Sequence, residues 1–221
     1  MTRSELARLI DHTVLKPDST RRDARRVCEE ARDHHFAAAC ILPAWVADAA
    51  EILEGSGVAV CTVVGFPHGN APAQAKAAET HTAVADGATE IDTVINVSAL
   101  KSGSDLLVMD DLEAVVEAAH LGGAIVKVIL ECALLTDEEK RRAARMCVEA
   151  GAEFVKTSTG FAAHGATIED VRLLRAVVGP DTGVKAAGGI RTLHDALAMI
   201  EAGANRIGTS AGVALVDALS S

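Results

Sequence analysis

Aromatic residues are nearly absent from this chain of 221 residues, which has four phenylalanines, one tryptophan and no tyrosine. Acidic residues also outnumber basic residues, and the formal net charge is -10. Surfaces that bind nucleic acids or membranes need basic patches, aromatic stacking platforms or both. We therefore expect neither a nucleic acid nor a membrane as a partner, and a bound phosphate would have to be held by local groups.

Signatures of disulfide frameworks, metal sites and export are also missing. The five cysteines are odd in number and show no CxxC pairing, which is typical of reduced thiols in a cytosol. The histidines lack metal-ligand spacing, so we expect a site without metal or other cofactor. No apolar run is long enough to span a bilayer, and the first residues lack the apolar region of a signal peptide. These features predict a cytoplasmic protein.

A recurring glycine junction organises the chain. Asp86-Gly87-Ala88, Ala150-Gly151-Ala152 and Ala202-Gly203-Ala204 each close a helical pattern and precede an apolar segment. Glycine suits the position after a helix, where a positive φ is needed. The junctions therefore mark repeated transitions from helix to strand.

Eight apolar segments have the character of buried strands. They are LARLIDHT from Leu6, FAAACILP from Phe36, VAVCTVVGF from Val58, TEIDTVINV from Thr89, AIVKVILEC from Ala124, AEFVKTST from Ala152, GVKAAGG from Gly183 and NRIGTS from Asn205. They alternate with helical patterns, among them 20–34, 71–86, 105–121, 137–150 and 192–202. Such alternation is typical of a (β/α)8 TIM barrel or of an open doubly wound sheet. The open sheet usually carries GxGxxG after its first strand, which is missing here, so we predict an α/β fold with a single (β/α)8 TIM barrel domain over residues 1–221.

Lys156 stands at the end of the sixth predicted strand, on the same face as Phe154. A lysine in apolar surroundings has a lowered pKa and can attack carbonyls to form a Schiff base. The alternative is a lysine that snorkels to solvent at a strand end. Lys185 repeats the arrangement on the seventh strand, about 4.8 Å away across the sheet, and favours the catalytic interpretation.

Other polar residues at strand ends are candidate partners of these lysines, because TIM-barrel active sites lie at the carboxyl ends of the strands. They are Asp11, Cys40, Asp92, Asn96 and Lys127. Asp92 points inward on the fourth strand and can approach both lysines, either as a catalytic carboxylate or as a structural counter-ion. We favour catalysis, because perturbed groups cluster at functional sites. For Lys127 we expect an electrostatic or structural role.

The loops after strands seven and eight have the small residues of a phosphate site. They read AAGGIR and IGTSAG, and TIM-barrel enzymes often bind phosphate there. Gly188 and Gly189 allow close backbone approach, and Gly208 and Ser210 supply an amide and a hydroxyl. Gly160, after strand six, can supply another amide. These groups predict that phosphate is held by dipoles more than by a dedicated cation.

Five separated motifs together resemble the deoxyribose-phosphate aldolases. They are LIDHTVLKP, CTVVGFPHG, EIDTVINV, FVKTSTGF and VKAAGGIR, and the resemblance extends from Leu9 to about Ala211. It implies a metal-independent class I aldolase that reversibly cleaves 2-deoxy-D-ribose 5-phosphate to acetaldehyde and D-glyceraldehyde 3-phosphate, in deoxyribonucleotide catabolism. The partners it implies are phosphorylated sugars and aldehydes, and we expect a homo-oligomer, as a dimer.

The resemblance also implies roles for individual residues. Lys156 is the implied Schiff-base lysine, Lys185 the second lysine of a proton relay, and Asp92 the acid/base carboxylate. The implied phosphate site comprises Gly160, Gly188, Gly189, Gly208 and Ser210. In some family members a C-terminal tyrosine reaches the site, and this chain, which ends Leu219-Ser220-Ser221, has none. The alternatives to this activity are another Schiff-base aldolase or transaldolase, and a sugar-phosphate-binding barrel without catalysis.

Overall fold

Eight parallel strands form a closed barrel in which neighbours in the chain are also neighbours in the sheet. The structure is a computed structural model that describes residues 1–219, so Ser220 and Ser221 of the tail lie outside the described residues. The strands are β1 (Ile10–Val14), β2 (Ala38–Ile41), β3 (Ala59–Val64), β4 (Glu90–Val94), β5 (Ile125–Ile129), β6 (Phe154–Lys156), β7 (Gly183–Ala187) and β8 (Arg206–Thr209). β8 closes the barrel by pairing with β1 from Ile10↔Ile207 to His12↔Thr209. The predicted TIM barrel is confirmed.

Helices cover the outside of the barrel and connect its strands. They are α1 (Arg3–Ala7), α2 (Arg21–Asp33), α3 (Val46–Leu53), α4 (Ala73–Ala85), α5 (Val97–Lys101), α6 (Asp105–Leu121), α7 (Asp137–Glu149), α8 (Ile168–Val178), α9 (Leu193–Glu201) and α10 (Gly212–Asp217). Short 3₁₀ helices cover Pro43–Trp45 and Cys132–Leu134. Within residues 1–219, none of the helices combines the length and apolar character needed to cross a membrane.

The helix boundaries follow from local capping. Threonine side chains accept the backbone N–H of the third helical residue at the start of α2, α7, α8 and α9. The predicted glycine junctions Gly87, Gly151 and Gly203 have φ values of 106°, 87° and 115°. These left-handed residues end α4, α7 and α9 and direct the chain into the next strand.

The first predicted strand begins too early. Residues Arg3–Ala7 form α1 instead of extended chain, and β1 starts only at Ile10. The reason is a capping box, in which the Thr2 hydroxyl accepts the Glu5 N–H and the Glu5 carboxylate accepts the Thr2 N–H at 2.7 Å. Leu6 and Ala7 are buried as helix residues, so burial alone did not distinguish helix from strand.

The main hydrophobic core lies between the barrel and the helices. Alternate strand residues such as Ile91, Val126 and Val155 face outward into it and are fully buried. A smaller apolar cluster fills the β2 and β3 side and contains Leu15, Ala38, Cys40, Cys61 and Val63. The remaining interior is charged, and it contains the predicted catalytic side chains.

Candidate active site

Seven charged side chains from six strands meet inside the barrel. This interior charge cluster comprises Asp11, Glu90, Asp92, Lys127, Lys156, Lys185 and Arg206. Strand alternation directs them inward, since Glu90 and Asp92 are two residues apart on β4 and the register pairs Lys156 with Lys185. The predicted inward direction of both lysines is therefore correct.

Asp92 lies at the centre of the cluster. Its Oδ2 accepts hydrogen bonds from the Nζ atoms of Lys156 and Lys185, each at 2.7 Å. Its Oδ1 accepts from Lys127 Nζ at 2.7 Å and faces the thiol of Cys61 at 3.3 Å. The expectation that Asp92 approaches both lysines is correct, and Lys127 is a third partner. Lys156 is consequently ion-paired, so the expectation of apolar surroundings for this lysine was wrong.

A second layer of charge supports Asp92 from below. Lys185 also donates to Asp11 Oδ2, and Arg206 Nη1 donates to Asp11 Oδ1 at 2.7 Å and to Glu90 Oε2 at 3.0 Å. Lys127 Nζ lies 2.7 Å from Glu90 Oε2, so that Glu90 links Lys127 with Arg206. The guanidinium of Arg206 also stacks over the Phe154 ring, 5.2 Å from its centroid.

These contacts fix the charge states of the buried partners. Burial opposes ionisation of Asp92, but Lys127 and the neighbouring lysines hold the pKa of the Asp92 carboxyl well below its ordinary value. Burial equally opposes a charge on Lys185, but Asp11 and Asp92 together hold the pKa of Lys185 well above its ordinary value. The pKa of Lys127 is also raised well above its ordinary value, against burial, with Asp92 as the largest contributor. Asp92 is therefore a carboxylate and Lys185 a cation at neutral pH.

The barrel interior also holds thiols close to carboxylates. The ligand atoms of Cys40, Cys61 and Asp92 lie within 4.8 Å of one another, as do those of Asp11, Cys61 and Glu90. Burial raises the pKa of the Cys61 thiol well above its ordinary value, which disfavours the thiolate that a metal would need. Because lysines already neutralise the carboxylates, we assign no ion to either group, and metal independence stays a prediction.

A cavity of about 640 Å³ opens at the carboxyl ends of the strands, directly above the cluster. Lys156, 2% exposed, reaches its floor, whereas Asp92 and Lys185 lie below the floor and are fully buried. The residues predicted to bind phosphate all line its walls, namely Gly160, Gly188, Gly189, Gly208 and Ser210. The structure thus brings the two predicted groups of residues to a common cavity.

The Gly188 turn is packed against the loop that follows β6. A Cβ on Gly165 would come within 2.0 Å of the Gly188 carbonyl oxygen, and the Ala166 N–H donates to that oxygen at 3.1 Å. Gly188 and Gly189 have φ values of 86° and 80°, in the left-handed region that favours glycine. Their backbone amides are therefore held in a turn that a side chain would strain.

Sequence reasoning missed part of the cluster. Asp11 was only one of several strand-end candidates, and neither Glu90 nor Arg206 received a role. Arg206 begins β8 and is the register partner of Lys185. This pairing with an inward-facing lysine was the available signal that Arg206 also points inward. Glu90 and Arg206 stand at the amino ends of their strands, whereas TIM-barrel active sites are expected at the carboxyl ends.

Known proteins with the same organisation were found by sequence and by structure. The family model described as DeoC/LacD family aldolase matches residues 6–217. A deoxyribose-phosphate aldolase of Geobacillus sp. (strain WCH70) is 55% identical over 214 residues, 97% of this chain and 96% of that protein. One from Bacillus mycoides (strain KBAB4) is 58% identical over 211 residues, covering 96% and 94% of the two chains.

A solved structure also superimposes closely on the barrel. It is described as a unique tetrameric structure of deoxyribose phosphate aldolase from Aeropyrum pernix, with a TM-score of 0.91 and 37% sequence identity. The match covers 98% of this chain and 92% of that one. Together with the family match over nearly the whole length, these likenesses show that the chain belongs to the DeoC/LacD family of aldolases.

Proposed function

We propose that this protein is a class I aldolase that reversibly cleaves 2-deoxy-D-ribose 5-phosphate to acetaldehyde and D-glyceraldehyde 3-phosphate. The observation that carries the proposal is the position of Lys156, which lines the cavity and whose Nζ donates a hydrogen bond to Asp92. The relatives from Geobacillus and Bacillus, named deoxyribose-phosphate aldolases, support the choice of substrate.

The reaction begins with attack of the neutral Lys156 amine on the C1 aldehyde of the open-chain sugar. The carbinolamine loses water to give a protonated imine, which withdraws electrons from the neighbouring carbons. Loss of the proton from the C3 hydroxyl then breaks the C2–C3 bond, releases D-glyceraldehyde 3-phosphate and leaves an enamine on Lys156. Protonation at C2 and hydrolysis of the imine release acetaldehyde and the free amine.

Charge balance in the interior charge cluster supports Lys156 as the nucleophile. Four cationic side chains face three carboxylates, since Lys127, Lys156, Lys185 and Arg206 surround Asp11, Glu90 and Asp92. Of the three lysines in the cluster, Lys156 is the one that borders the cavity. A neutral Lys156 leaves the other six charges balanced, whereas a neutral Lys127 would lose ion pairs with three carboxylates and a neutral Lys185 with two. The charge count therefore assigns the nucleophilic role to the lysine that meets the substrate.

Asp92 and Lys185 would move protons around this amine. Asp92 Oδ2 contacts both lysine nitrogens, so the carboxylate can accept a proton released by Lys156 during imine formation and return it later. Lys185, held as a cation, would stabilise the ionised state of Asp92 while the proton is elsewhere. Lys127 keeps the second carboxylate oxygen in place, in the electrostatic role expected for it.

Phosphate would be bound by the loops that follow β6, β7 and β8. The amides of Gly160, Gly188, Gly189 and Gly208 and the Ser210 hydroxyl are the proposed donors. Lys16 and Arg191 also line the cavity, and both are exposed. The amide donors are oriented by the backbone, whereas these cations can add a screened attraction at the rim.

Borohydride trapping tests the proposal directly. Incubation with acetaldehyde and borohydride should add a reduced two-carbon group to Lys156, detected by peptide mass spectrometry. Lys156→Arg should abolish trapping and cleavage, whereas Lys101→Arg, an exposed substitution, should preserve both. Labelling without cleavage of 2-deoxy-D-ribose 5-phosphate would favour another Schiff-base aldolase or transaldolase. If no lysine is labelled, the chain is better explained as a sugar-phosphate-binding barrel.

We further infer a cytoplasmic, single-domain protein that forms a homodimer and acts in deoxyribonucleotide catabolism. All five cysteines are free and buried, in keeping with a reducing compartment. Self-association is supported by the relative from Aeropyrum pernix, described as tetrameric. Chelator treatment should leave cleavage unchanged, because the proposed steps require no metal.

A further inference from the structure

Glu131 has an unusual conformation and an unusual environment. It lies two residues after the end of β5, and its φ of 56° places a residue other than glycine in the left-handed region. Its side chain is also buried, with the residue only 4% exposed. Within residues 1–219, no cationic side chain forms an ion pair with its carboxylate. Both features are unfavourable and persist only where the surrounding structure enforces them.

The carboxylate of Glu131 is held by a single residue of the neighbouring loop. The Thr159 N–H donates to Oε2 at 3.3 Å and lies 3.4 Å from Oε1, and the Thr159 hydroxyl donates to Oε2. The Thr159 hydroxyl oxygen in turn accepts the Phe161 N–H at 3.0 Å. A chain of hydrogen bonds therefore runs from Glu131 through Thr159 to Phe161.

Backbone contacts on both sides of Glu131 extend the pairing of β5 and β6 beyond the strands. The Leu130 N–H donates to the Lys156 carbonyl at 2.9 Å, and the Cys132 N–H donates to the Thr157 carbonyl at 2.8 Å. Between these two bonds, the left-handed turn at Glu131 directs its side chain towards Thr159. The contacts connect the lysine strand to the loop that follows it.

The loop held in this way forms one wall of the cavity. Thr159, Gly160 and Phe161 all line it, and Gly160 has a φ of 89°. The Phe161 ring is 49% exposed and meets Phe66 edge-on, with 5.3 Å between the ring centroids. The wall therefore combines an amide proposed to bind phosphate with an exposed aromatic ring at the cavity mouth.

We propose that Glu131 is a positioning residue that sets the preference for phosphorylated substrates. It fixes Thr159, and through Thr159 it fixes the direction of the Gly160 amide and the place of the Phe161 ring. The inference rests on the proposed function, because it concerns selectivity in the same cavity. It assigns no contact between Glu131 and the substrate, since Glu131 does not line the cavity.

Glu131→Gln tests the proposal with little change in side-chain volume. The amide removes the negative charge and one acceptor oxygen, which weakens both bonds from Thr159. We expect KM for 2-deoxy-D-ribose 5-phosphate to rise by roughly tenfold, the loss typical of a hydrogen bond to a charged group. KM for unphosphorylated deoxyribose should change far less. The KM ratio, defined as KM for the unphosphorylated sugar divided by KM for the phosphorylated sugar, should therefore fall towards one.

Glu153→Gln is the matched control. The Glu153 carboxylate also accepts a backbone N–H, that of Val126 at 2.8 Å, but at the amino ends of the strands, away from the cavity. It should leave the KM ratio unchanged. Equal changes in both variants would show a general effect on stability and overturn the proposal.

Thr159 variants supply an independent measurement. Thr159→Val removes the hydroxyl and should lower the KM ratio, while Thr159→Ser keeps the hydroxyl and should restore it. In the double variant Glu131→Gln with Thr159→Val the losses should be less than additive, because both changes break one chain of bonds. If Glu131→Gln does not fold, the difference in KM ratio between Thr159→Val and Thr159→Ser tests the proposal, and equal ratios in these two variants contradict it.

The inference and the proposed function fail in different ways. A wild-type protein that is not labelled by acetaldehyde and borohydride contradicts the proposed function. A wild-type protein that is labelled and cleaves the phosphorylated sugar, while Glu131→Gln and Thr159→Val retain the wild-type KM ratio, contradicts only the role of Glu131.

Discussion

A single carboxylate oxygen serves two lysines in this site. Asp92 Oδ2 accepts from Lys156 and from Lys185, so the two nitrogens lie within two hydrogen-bond lengths of each other. Repulsion between two ammonium groups at about 5 Å, in a medium with an effective dielectric near 20, is roughly 3 kcal/mol. The two lysines therefore repel each other, and the Asp92 carboxylate between them offsets this repulsion.

Replacing Lys185 by methionine should remove this repulsion. We expect Lys185→Met to slow imine formation at pH 7 by roughly two orders of magnitude, since about 3 kcal/mol of repulsion is lost. The pH profile of borohydride trapping with acetaldehyde is the measurement. Trapping that recovers at high pH, while turnover stays impaired, is the expected result. An unshifted profile would exclude any influence of Lys185 on the reactivity of Lys156.

The ion pairs of Asp92 should make the protein less stable at acidic pH than at neutral pH. The folded-state pKa of Asp92 is held well below its ordinary value, whereas an aspartate in the unfolded chain titrates near about 3.9. The unfolded chain therefore binds more protons as the pH falls from about 5, and the stabilisation present at neutral pH is progressively lost. Denaturant unfolding of the wild type should show this loss between about pH 5 and pH 3.

Asp92→Asn separates this effect from general acid sensitivity. The variant leaves buried ammonium groups without their partner and should lose roughly 3 kcal/mol at pH 7, with a flatter dependence on acid. Asp181→Asn, at an exposed carboxylate, should behave like the wild type. If the free energy of unfolding falls equally with pH in the wild type and in Asp92→Asn, the lowered pKa assigned to Asp92 is refuted.

Residue types and strand alternation predicted catalytic roles for three members of the cluster and an electrostatic role for Lys127, and placed Asp11 among the candidates, but gave no role to the other two. Lys156, Lys185 and Asp92 follow apolar runs, so alternation alone gives their direction. Arg206 begins its strand, and its partner Asp11 is separated from it by 195 positions in the chain. Contacts of that kind depend on how the barrel closes, which no local pattern reveals.

At the scale of elements, more of the unpredicted features lie in loops than in strands. Seven of the eight predicted strand segments contain a strand of the barrel, the first overlaps most of β1, and the five predicted helical segments each contain a helix. The left-handed turn at Glu131 was not predicted, because glutamate carries no signal for that conformation. Its partner Thr159 is 28 residues away in the chain, so no local pattern connects the two.

The turn after β7 gives the element-scale prediction. A Cβ at Gly189 meets nothing within 4 Å, so valine there is disfavoured by the φ of 80° and not by a clash. We expect Gly189→Val to distort the turn and raise KM for the phosphorylated sugar more than Arg191→Ala does. Kinetics with phosphorylated and unphosphorylated deoxyribose give the comparison.

Gly123→Val is a suitable control for this substitution. Gly123 has a φ of 77° and equally open surroundings, but it lies between α6 and β5, away from the cavity. It should cost similar stability and leave the KM ratio unchanged. If Gly189→Val also leaves the ratio unchanged, the phosphate site is wrongly assigned.

At the scale of the whole molecule, the predicted dimer can be measured directly. Sedimentation equilibrium at micromolar concentration should give twice the chain mass of 22.8 kDa. The net charge of -10 opposes association at low salt, so the measurement should be repeated at about 0.15 M salt, where screening is stronger. A monomer at both salt concentrations contradicts self-association, and a tetramer contradicts the dimer alone.

The pairing of Lys185 with Asp11 joins residues 174 positions apart. During synthesis the first half of the barrel emerges with the carboxylates of Asp11, Glu90 and Asp92, whereas Lys156, Lys185 and Arg206 follow much later. A partly formed barrel must therefore keep these carboxylates hydrated, because burying them without cations is costly. Final desolvation of the interior is then coupled to the docking of β8, which makes folding slow and cooperative, as expected for a topology dominated by distant contacts.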